Sequence, residues 1–289
     1  MKILVTGRYG QLAQSLAARG KDQVLLLGRP NLDLVVPGSA RSAIIGASPD
    51  LVVNAAAYTA VDIAEGDESQ AMRINAHAAG EVAGAARELG IPVIHISTDY
   101  VFGGKGSEPY TETAPTAPIN AYGRTKLAGE SMVRAANPSH LILRTSWLVS
   151  PFGHNFVRTM VDLGQQRDTL SVVADQIGSP TSAFDLADSI IAIAERFAER
   201  DCIDLGQTYH LSGSGIASWF DVAVAVQHEL ARLGCKSASV TPISTADWPT
   251  PAKRPAYAAL DSTKFSRAFR ITMPEWRVSI GAIVAGLVA

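Results

Sequence analysis

The chain has 289 residues, 47% of them hydrophobic and 18% charged, and a formal net charge of −2, the make-up of a globular protein of one or two domains. That balance excludes a nucleic-acid or anionic-membrane surface built on bulk charge. Two cysteines, Cys202 and Cys235, exclude a disulfide framework. No uncharged apolar run is long enough to span a bilayer, and the N-terminus meets Gly7 too soon for a signal peptide. A cytoplasmic location is expected, with neither nucleic acid nor membrane as a partner.

Residues 2–6 read as a short apolar strand running into Gly7-Arg8-Tyr9-Gly10-Gln11-Leu12-Ala13, and residues 11–19 place Leu12, Ala13, Leu16 and Ala17 at helical spacing. Strand, glycine turn and helix in that order form the context of a phosphate-binding loop. Gly7 and Gly10 let the backbone approach a pyrophosphate at a helix N-terminus, and Ala13 is the third small position. Residues 23–27 read as a second strand. An acid at its end would hold the ribose hydroxyls of NADH, but Gly28-Arg29 stands there. A guanidinium suits a 2′-phosphate, unless Arg29 is simply an exposed turn residue before Pro30. NADPH is expected first and NADH second, with Asp33 near the adenosine half.

A third strand over residues 51–54 runs into Ala55-Ala56-Ala57, small residues against which a flat cofactor can lie. Residues 72–89 read as one alanine-rich helix closed by Gly90, and residues 93–97 as a fourth strand leading into Thr98-Asp99. The carboxyl end of a central strand is where open α/β sheets place chemistry. A loop over 103–118 precedes a helix over 120–132, which carries Tyr122 and Lys126 on one face, a turn apart. A phenol titrates near pH ~10, and a nearby ammonium favours its phenolate and makes it a usable proton donor. The plain alternative is an exposed tyrosine beside a solvated lysine. Residues 141–145 form the next strand, ending in Ser146-Trp147. The alternation predicts an α/β fold, a Rossmann-type doubly wound parallel sheet over 1–150. Beyond it, helices over 152–163, 184–197 and 219–233 and a proline-rich loop over 249–255 predict a smaller C-terminal substrate-binding lobe, 151–289, with some segments returning to the sheet.

Taken together, these motifs resemble the extended short-chain dehydrogenase/reductases. The resemblance rests on the glycine loop, Asn54-Ala55-Ala56-Ala57-Tyr58-Thr59-Ala60-Val61-Asp62, Ser97-Thr98-Asp99-Tyr100-Val101-Phe102 and Tyr122-Gly123-Arg124-Thr125-Lys126-Leu127-Ala128-Gly129-Glu130. Arg144-Thr145-Ser146-Trp147, Asp175-Gln176-x-Gly178-x-Pro180-Thr181 and Pro249-Thr250-Pro251-Ala252-x-Arg254-Pro255 extend it over nearly the whole chain. The later motifs are similar to the branch that reduces the C4 keto group of a dTDP-linked 4-keto-6-deoxysugar with NADPH, supplying nucleotide sugar for cell-surface polysaccharide.

The resemblance implies Thr98, Tyr122 and Lys126 as the catalytic trio. It implies Gly7, Gly10, Gln11, Leu12, Asp33, Leu34, Ala55, Ala56 and Ala57 around the cofactor, and Thr98, Asp99 and Trp147 around the sugar. Trp147 can also be read as a core indole. Arg254 is read either as a diphosphate contact or as a structural fastener. Some family members hold magnesium at a dimer contact through glutamates. The matching position here is Ser15, between Gln14 and Leu16, so no metal is assigned and a monomer or metal-free homodimer is expected. A reductase of a different dTDP-linked ketosugar would use the same machinery, and an epimerase of another nucleotide-linked ketosugar shares the Tyr/Lys pair. A non-catalytic NADP-binding subunit, like the regulatory subunit of methionine adenosyltransferase, shares the frame.

Overall fold

The computed structural model describes residues 1–199 and 203–289, so Cys202 lies outside the described residues; Cys235 is a half-buried free thiol. In chain order the first half comprises β1 (Ile3–Thr6), α1 (Gln11–Gly20), β2 (Val24–Leu27), α2 (Ser39–Ala47), β3 (Leu51–Asn54) and α3 (Val61–Ala64). It continues with α4 (Glu68–Met72), α5 (Ala78–Glu88), β4 (Val93–Thr98), α6 (Ala121–Ala136), β5 (His140–Thr145) and β6 (Leu148–Val149). The second half comprises α7 (Phe156–Gln166), β7 (Thr169–Val173), β8 (Ile177–Gly178), β9 (Thr181–Ser182), α8 (Ala183–Ala198), β10 (Gln207–His210) and β11 (Ala217–Ser218). After these come α9 (Trp219–Arg232), β12 (Ser239–Ile243), α10 (Thr263–Phe269) and α11 (Trp276–Val288).

Six parallel strands form the main sheet in the order β10-β5-β4-β3-β1-β2. The strands β1, β3 and β5 are buried at every residue, as parallel strands covered on both faces must be. One face carries α1 and α8, joined by Phe265 and Phe269 of α10; the other carries α2, α5 and Val133 of α6. The chain leaves β1 toward β2 and returns on the far side as β3, so the crevice between β1 and β3 is the switch point at which such sheets bind ligands.

A second core joins α7, α9 and α11 through Val157, Met160, Val226, Leu230, Trp276 and Ile283. The parallel pair β7–β12 packs against it. The segment after residue 150 therefore divides its service: α8, β10 and α10 complete the main sheet, and the remainder builds the lobe.

The helix expected over 72–89 starts earlier and is interrupted. Asp67 caps α4 by accepting from the Gln70 N–H at 3.2 Å, and a π-helical turn over Arg73–His77 separates α4 from α5. That turn aims the buried Asn75 at α6. Its amide bonds Tyr58 through both backbone groups and reaches Thr125 Oγ1 at 3.0 Å, tying the turn to α6. Glycines on α6 allow the close fit: a Cβ at Gly129 would lie 2.0 Å from the Asn75 carbonyl oxygen, and one at Gly123 2.1 Å from that of Tyr100. The helix expected over 152–163 begins only at Phe156, behind the Asn155 cap, which leaves residues 150–154 as a strap across the end of the sheet.

Candidate active site

Two adjoining cavities open at the carboxyl ends of β1, β3 and β4. The first, about 550 Å³, is lined by Gly7, Arg8, Tyr9, Gly10, Gly28, Arg29, Leu32, Asp33, Leu34 and Ala55–Ala57. The second, about 390 Å³, shares Tyr9, Gly10, Ala55, Ala57 and Thr59 with it and continues to Thr98, Asp99, Tyr122, Lys126, Thr145, Trp147 and His154. The glycine loop and the Tyr/Lys helix, more than a hundred residues apart in sequence, thus meet along one trough.

The first cavity fits a dinucleotide. Gly7 has φ +94, and a Cβ there would lie 3.1 Å from Ala56, so glycine is what lets the loop lie against β3. Gly10 caps α1 without any side-chain bond, leaving the first amides of that helix open to an anion. Arg29 is exposed at the rim, and Arg8 lines the same cavity. A Cβ at Gly28 would lie 2.9 Å from the Arg8 Cβ, so the bare glycine lets the two basic residues stand side by side. Sequence reasoning missed Arg8, although it stands inside the loop that was read.

Other residues expected at the cofactor have mixed duties. Leu12 and Leu34 line the trough but belong mainly to the cores beneath it. Gln11 donates to the Leu148 carbonyl at 3.2 Å and accepts from Ser150 Oγ at 2.9 Å, so its side chain ties the glycine loop to the strap. The Asp33 carboxylate accepts from the Val35 N–H at 3.0 Å and holds its own turn.

In the second cavity, α6 begins with Asn120 accepting from the Gly123 N–H at 2.8 Å and Glu65 accepting from the Ala121 N–H at 2.6 Å. These caps fix the first turn, which carries Tyr122. The Tyr122 ring stands edge-on to Tyr100, with centroids 5.7 Å apart. Lys126 is 2% exposed, and its Nζ donates to the Ile96 carbonyl at 2.6 Å. Burial pulls the Lys126 pKa down to about 8, partly offset by the charge of Glu130. The expected depression of the Tyr122 pKa does not appear. Burial pushes the phenol up, the Asp99 charge adds to that, and the Thr98 hydroxyl only partly opposes them. The spacing that puts Tyr122 and Lys126 on one helix face leaves the ammonium turned toward β4.

Thr98 and Asp99 close the floor of the cavity, with Asp99 2% exposed. Thr98 Oγ1 donates to one Asp99 oxygen at 2.9 Å and Ser146 Oγ donates to the other at 2.8 Å, so the carboxylate expected at the sugar is already engaged. Thr145, whose buried hydroxyl oxygen has no partner among the described residues, and Ser146 after it went unassigned in the sequence, although Thr145 ends β5 as Thr98 ends β4. Trp147 is half-buried with φ +43, and its ring stacks on Trp219 at 3.6 Å, presenting an aromatic wall shared by sheet and lobe.

Arg254 lies apart from this trough. Its guanidinium makes a two-pronged pair with Asp62 at 2.8 and 2.7 Å and also donates to Thr250 Oγ1 and the Ala252 carbonyl. The neighbouring Lys253 carbonyl accepts from Asn120 Nδ2 at 2.8 Å. The fork read either as a diphosphate contact or as a structural fastener is engaged by Asp62, and the proline-rich loop is fastened to α3 and to the cap of α6. No cluster of metal-ligating side chains occurs among the described residues, and no helix there is long and apolar enough to cross a membrane.

Comparison with known proteins agrees with this architecture. The family model described as RmlD substrate binding domain matches residues 1–288. A dTDP-4-dehydrorhamnose reductase of Sinorhizobium fredii is 45% identical over 99% of this chain and 98% of its own length. The crystal structure of a dTDP-4-dehydrorhamnose reductase from Clostridium acetobutylicum superposes with a TM-score of 0.90 at 37% identity, covering 100% of both chains. That of Bacillus anthracis, in complex with NADP, does so at 0.88 and 34% identity, covering 99% of this chain and 100% of its own. The chain belongs to the RmlD substrate binding domain family, among the dTDP-4-dehydrorhamnose reductases.

Proposed function

We propose that this protein reduces the C4 keto group of dTDP-4-dehydro-L-rhamnose with NADPH, yielding dTDP-L-rhamnose. The observation that carries the reading is the continuity of the two cavities, which puts Tyr122 at the end of a trough that starts at the glycine loop. NADPH, when bound, supplies the hydride. Tyr122 delivers the proton to the forming alkoxide oxygen; its raised pKa keeps the phenol loaded at neutral pH. Lys126, still largely charged at neutral pH, offers its remaining N–H groups to the cofactor ribose. Trp147 gives the sugar an apolar face. The nucleotide end of the substrate has a further cavity of about 550 Å³ in the lobe, lined by Phe156, Arg167, Trp219 and Trp248. The deciding experiment is NADPH oxidation with dTDP-4-dehydro-L-rhamnose and identification of the sugar formed. Folded protein that binds NADPH yet leaves this substrate unchanged sinks the proposal.

Cofactor preference is proposed to rest on Arg29, assisted by Arg8. A cationic hydrogen bond to phosphate contributes about 1.5–3 kcal/mol, or roughly ten- to a hundredfold in affinity. Arg29→Ala is expected to raise the dissociation constant for NADPH by that factor and leave NADH nearly untouched, as read by fluorescence titration. Equal weakening of both cofactors would instead mean a structural part for Arg29.

Arg254 is proposed as a fastener. Arg254→Ala removes charge-assisted bonds from a partly exposed pair, so about 1–2 kcal/mol of stability is expected to go after allowance for solvent screening. A melting temperature a few degrees lower, with the Michaelis constant for the sugar nucleotide little changed, is the expected result. An unchanged melting temperature with a sharply raised Michaelis constant would restore the diphosphate contact.

A further inference from the structure

The motif Asp175-Gln176 stands outside the trough, at the nucleotide end of the substrate path. Gln176 is 7% exposed and lines the lobe cavity together with Phe156, Trp219 and Trp248. It lies just before β8, where the bare Gly178 lets the strand close on the sugar wall: a Cβ there would lie 2.5 Å from the Trp147 ring. Trp147 in turn stacks on Trp219, so one aromatic pair borders both the sugar cavity and the lobe cavity.

Counting protons tells the two ends of the Gln176 amide apart. The Thr245 N–H donates to both oxygens of Asp175, at 2.8 and 3.0 Å, and Thr245 Oγ1 lies 2.6 Å from the first of them. The bond from the Thr245 hydroxyl, with the N–H beside it, outweighs burial and holds the Asp175 carboxyl below its usual range. At neutral pH it is a carboxylate, which only accepts, so the single Thr245 hydroxyl proton goes to Asp175. Thr245 Oγ1 then has only lone pairs to offer, and the Gln176 group 3.1 Å from it is the amide nitrogen, donating. The Gln176 carbonyl oxygen is left without a partner among the described residues, and it is not sealed from solvent. The side chain thus brings one free acceptor, its sense fixed from behind, to a cavity walled by aromatic rings.

We infer that Gln176 selects the base of the nucleotide: its carbonyl oxygen accepts from the imide N3–H of thymine or uracil and repels the lone pair that cytosine carries at that position. The inference rests on the proposed reduction of a thymidine-linked sugar and names the residue that reads its base. The other parts of such a substrate fit this acceptor less well. Phosphate oxygens only accept and cannot pair with it. The hydroxyls of the reacting sugar belong in the cavity of Tyr122, which Gln176 does not line. The deoxyribose 3′-hydroxyl is the competing donor, but Phe156, Trp219 and Trp248 offer the flat faces on which a base stacks.

The test is calorimetric titration of the protein, in the presence of NADP⁺, with dTDP, 3′-deoxy-dTDP, dUDP and dCDP. The last two differ only along the pairing edge of the base, so their affinity ratio isolates the imide from the thymine methyl. The wild type is expected to prefer dUDP to dCDP by roughly ten- to a hundredfold, a hydrogen bond gained against an acceptor left facing a lone pair. Gln176→Leu removes the acceptor and should bring that ratio close to one. Thr245→Val keeps the glutamine but removes the oxygen that orients it, so the amide can turn over and the ratio should fall again. If Gln176→Leu does not fold, the wild-type ratio and Thr245→Val still decide. A wild type without the preference overturns the inference, and so does a ratio that survives in either variant, since a loosened lobe weakens both ligands alike. Gln176→Leu should also weaken dTDP and 3′-deoxy-dTDP by the same factor; an effect confined to dTDP makes the 3′-hydroxyl the donor and overturns the base contact. A wild type that shows the dUDP preference yet leaves dTDP-4-dehydro-L-rhamnose unreduced overturns only the proposed reaction.

Discussion

Tyr122→Phe is expected to lower kcat about 10²–10⁴-fold, the contribution usual for a positioned general acid, while the dissociation constant for NADPH stays where it is. The substitution is clean because the geometry isolates the hydroxyl. The ring is held edge-on to Tyr100, and the first turn of α6 is fixed by Asn120 and Glu65 rather than by the phenol. Phenylalanine keeps all of that and removes only the proton. A general mispacking of the site would weaken cofactor and substrate as well, so separate measurement of kcat, both Michaelis constants and NADPH affinity distinguishes the two. Reduction at the wild-type rate would place the proton donor elsewhere, and Thr98 would be the first residue to test.

The frame of this site was legible in the sequence because it is carried by local signals. Apolar strands ending in glycines or small residues located β1, β3 and β4, and a spacing of four located Tyr122 and Lys126 on one helix face. Distant partners were not legible. Asp62 and Arg254 each stood in a quoted motif, yet nothing local says that a carboxylate 192 positions away fills the fork of the arginine. The engagement of Asp99 was not legible either, because its second oxygen is claimed by Ser146, whose own oxygen is reached by the Ser179 N–H in the loop after β8. The strand β10, which opens on the half-buried polar residues Gln207 and Thr208, carries too weak a pattern to be seen without the sheet edge that receives it.

Glu130 shows how far α6 depends on such unseen partners, and its replacement is expected to have the largest effect on stability. It sits one turn beyond Lys126 with no exposed side-chain surface. Its carboxylate accepts from Arg144 twice at 2.8 Å, from Arg134 at 2.8 Å and from Ser97 Oγ at 2.6 Å. One side chain thus joins α6 to β5 and to the residue before Thr98. Burial pushes the Glu130 pKa up, but the hydrogen bonds of Arg144 and Ser97 and the charges of both arginines outweigh it, and the net shift is downward. The stability this supplies is therefore fully present above the ordinary glutamate pKa and is lost as pH falls through the lowered one. Glu130→Leu leaves Arg144 buried, 4% exposed, without its counter-charge. Removing one partner of such a pair typically costs about 3–5 kcal/mol. Denaturant unfolding at neutral pH should show a loss of that size, and the variant should be less sensitive to acid than the wild type over the range in which Glu130 titrates. Exchanging both partners for leucine should recover much of the loss, since two apolar side chains in contact leave no stranded charge. If Glu130→Leu costs less than the median surface ion pair, roughly 0–1 kcal/mol, then packing rather than this ion cluster holds α6 against the sheet.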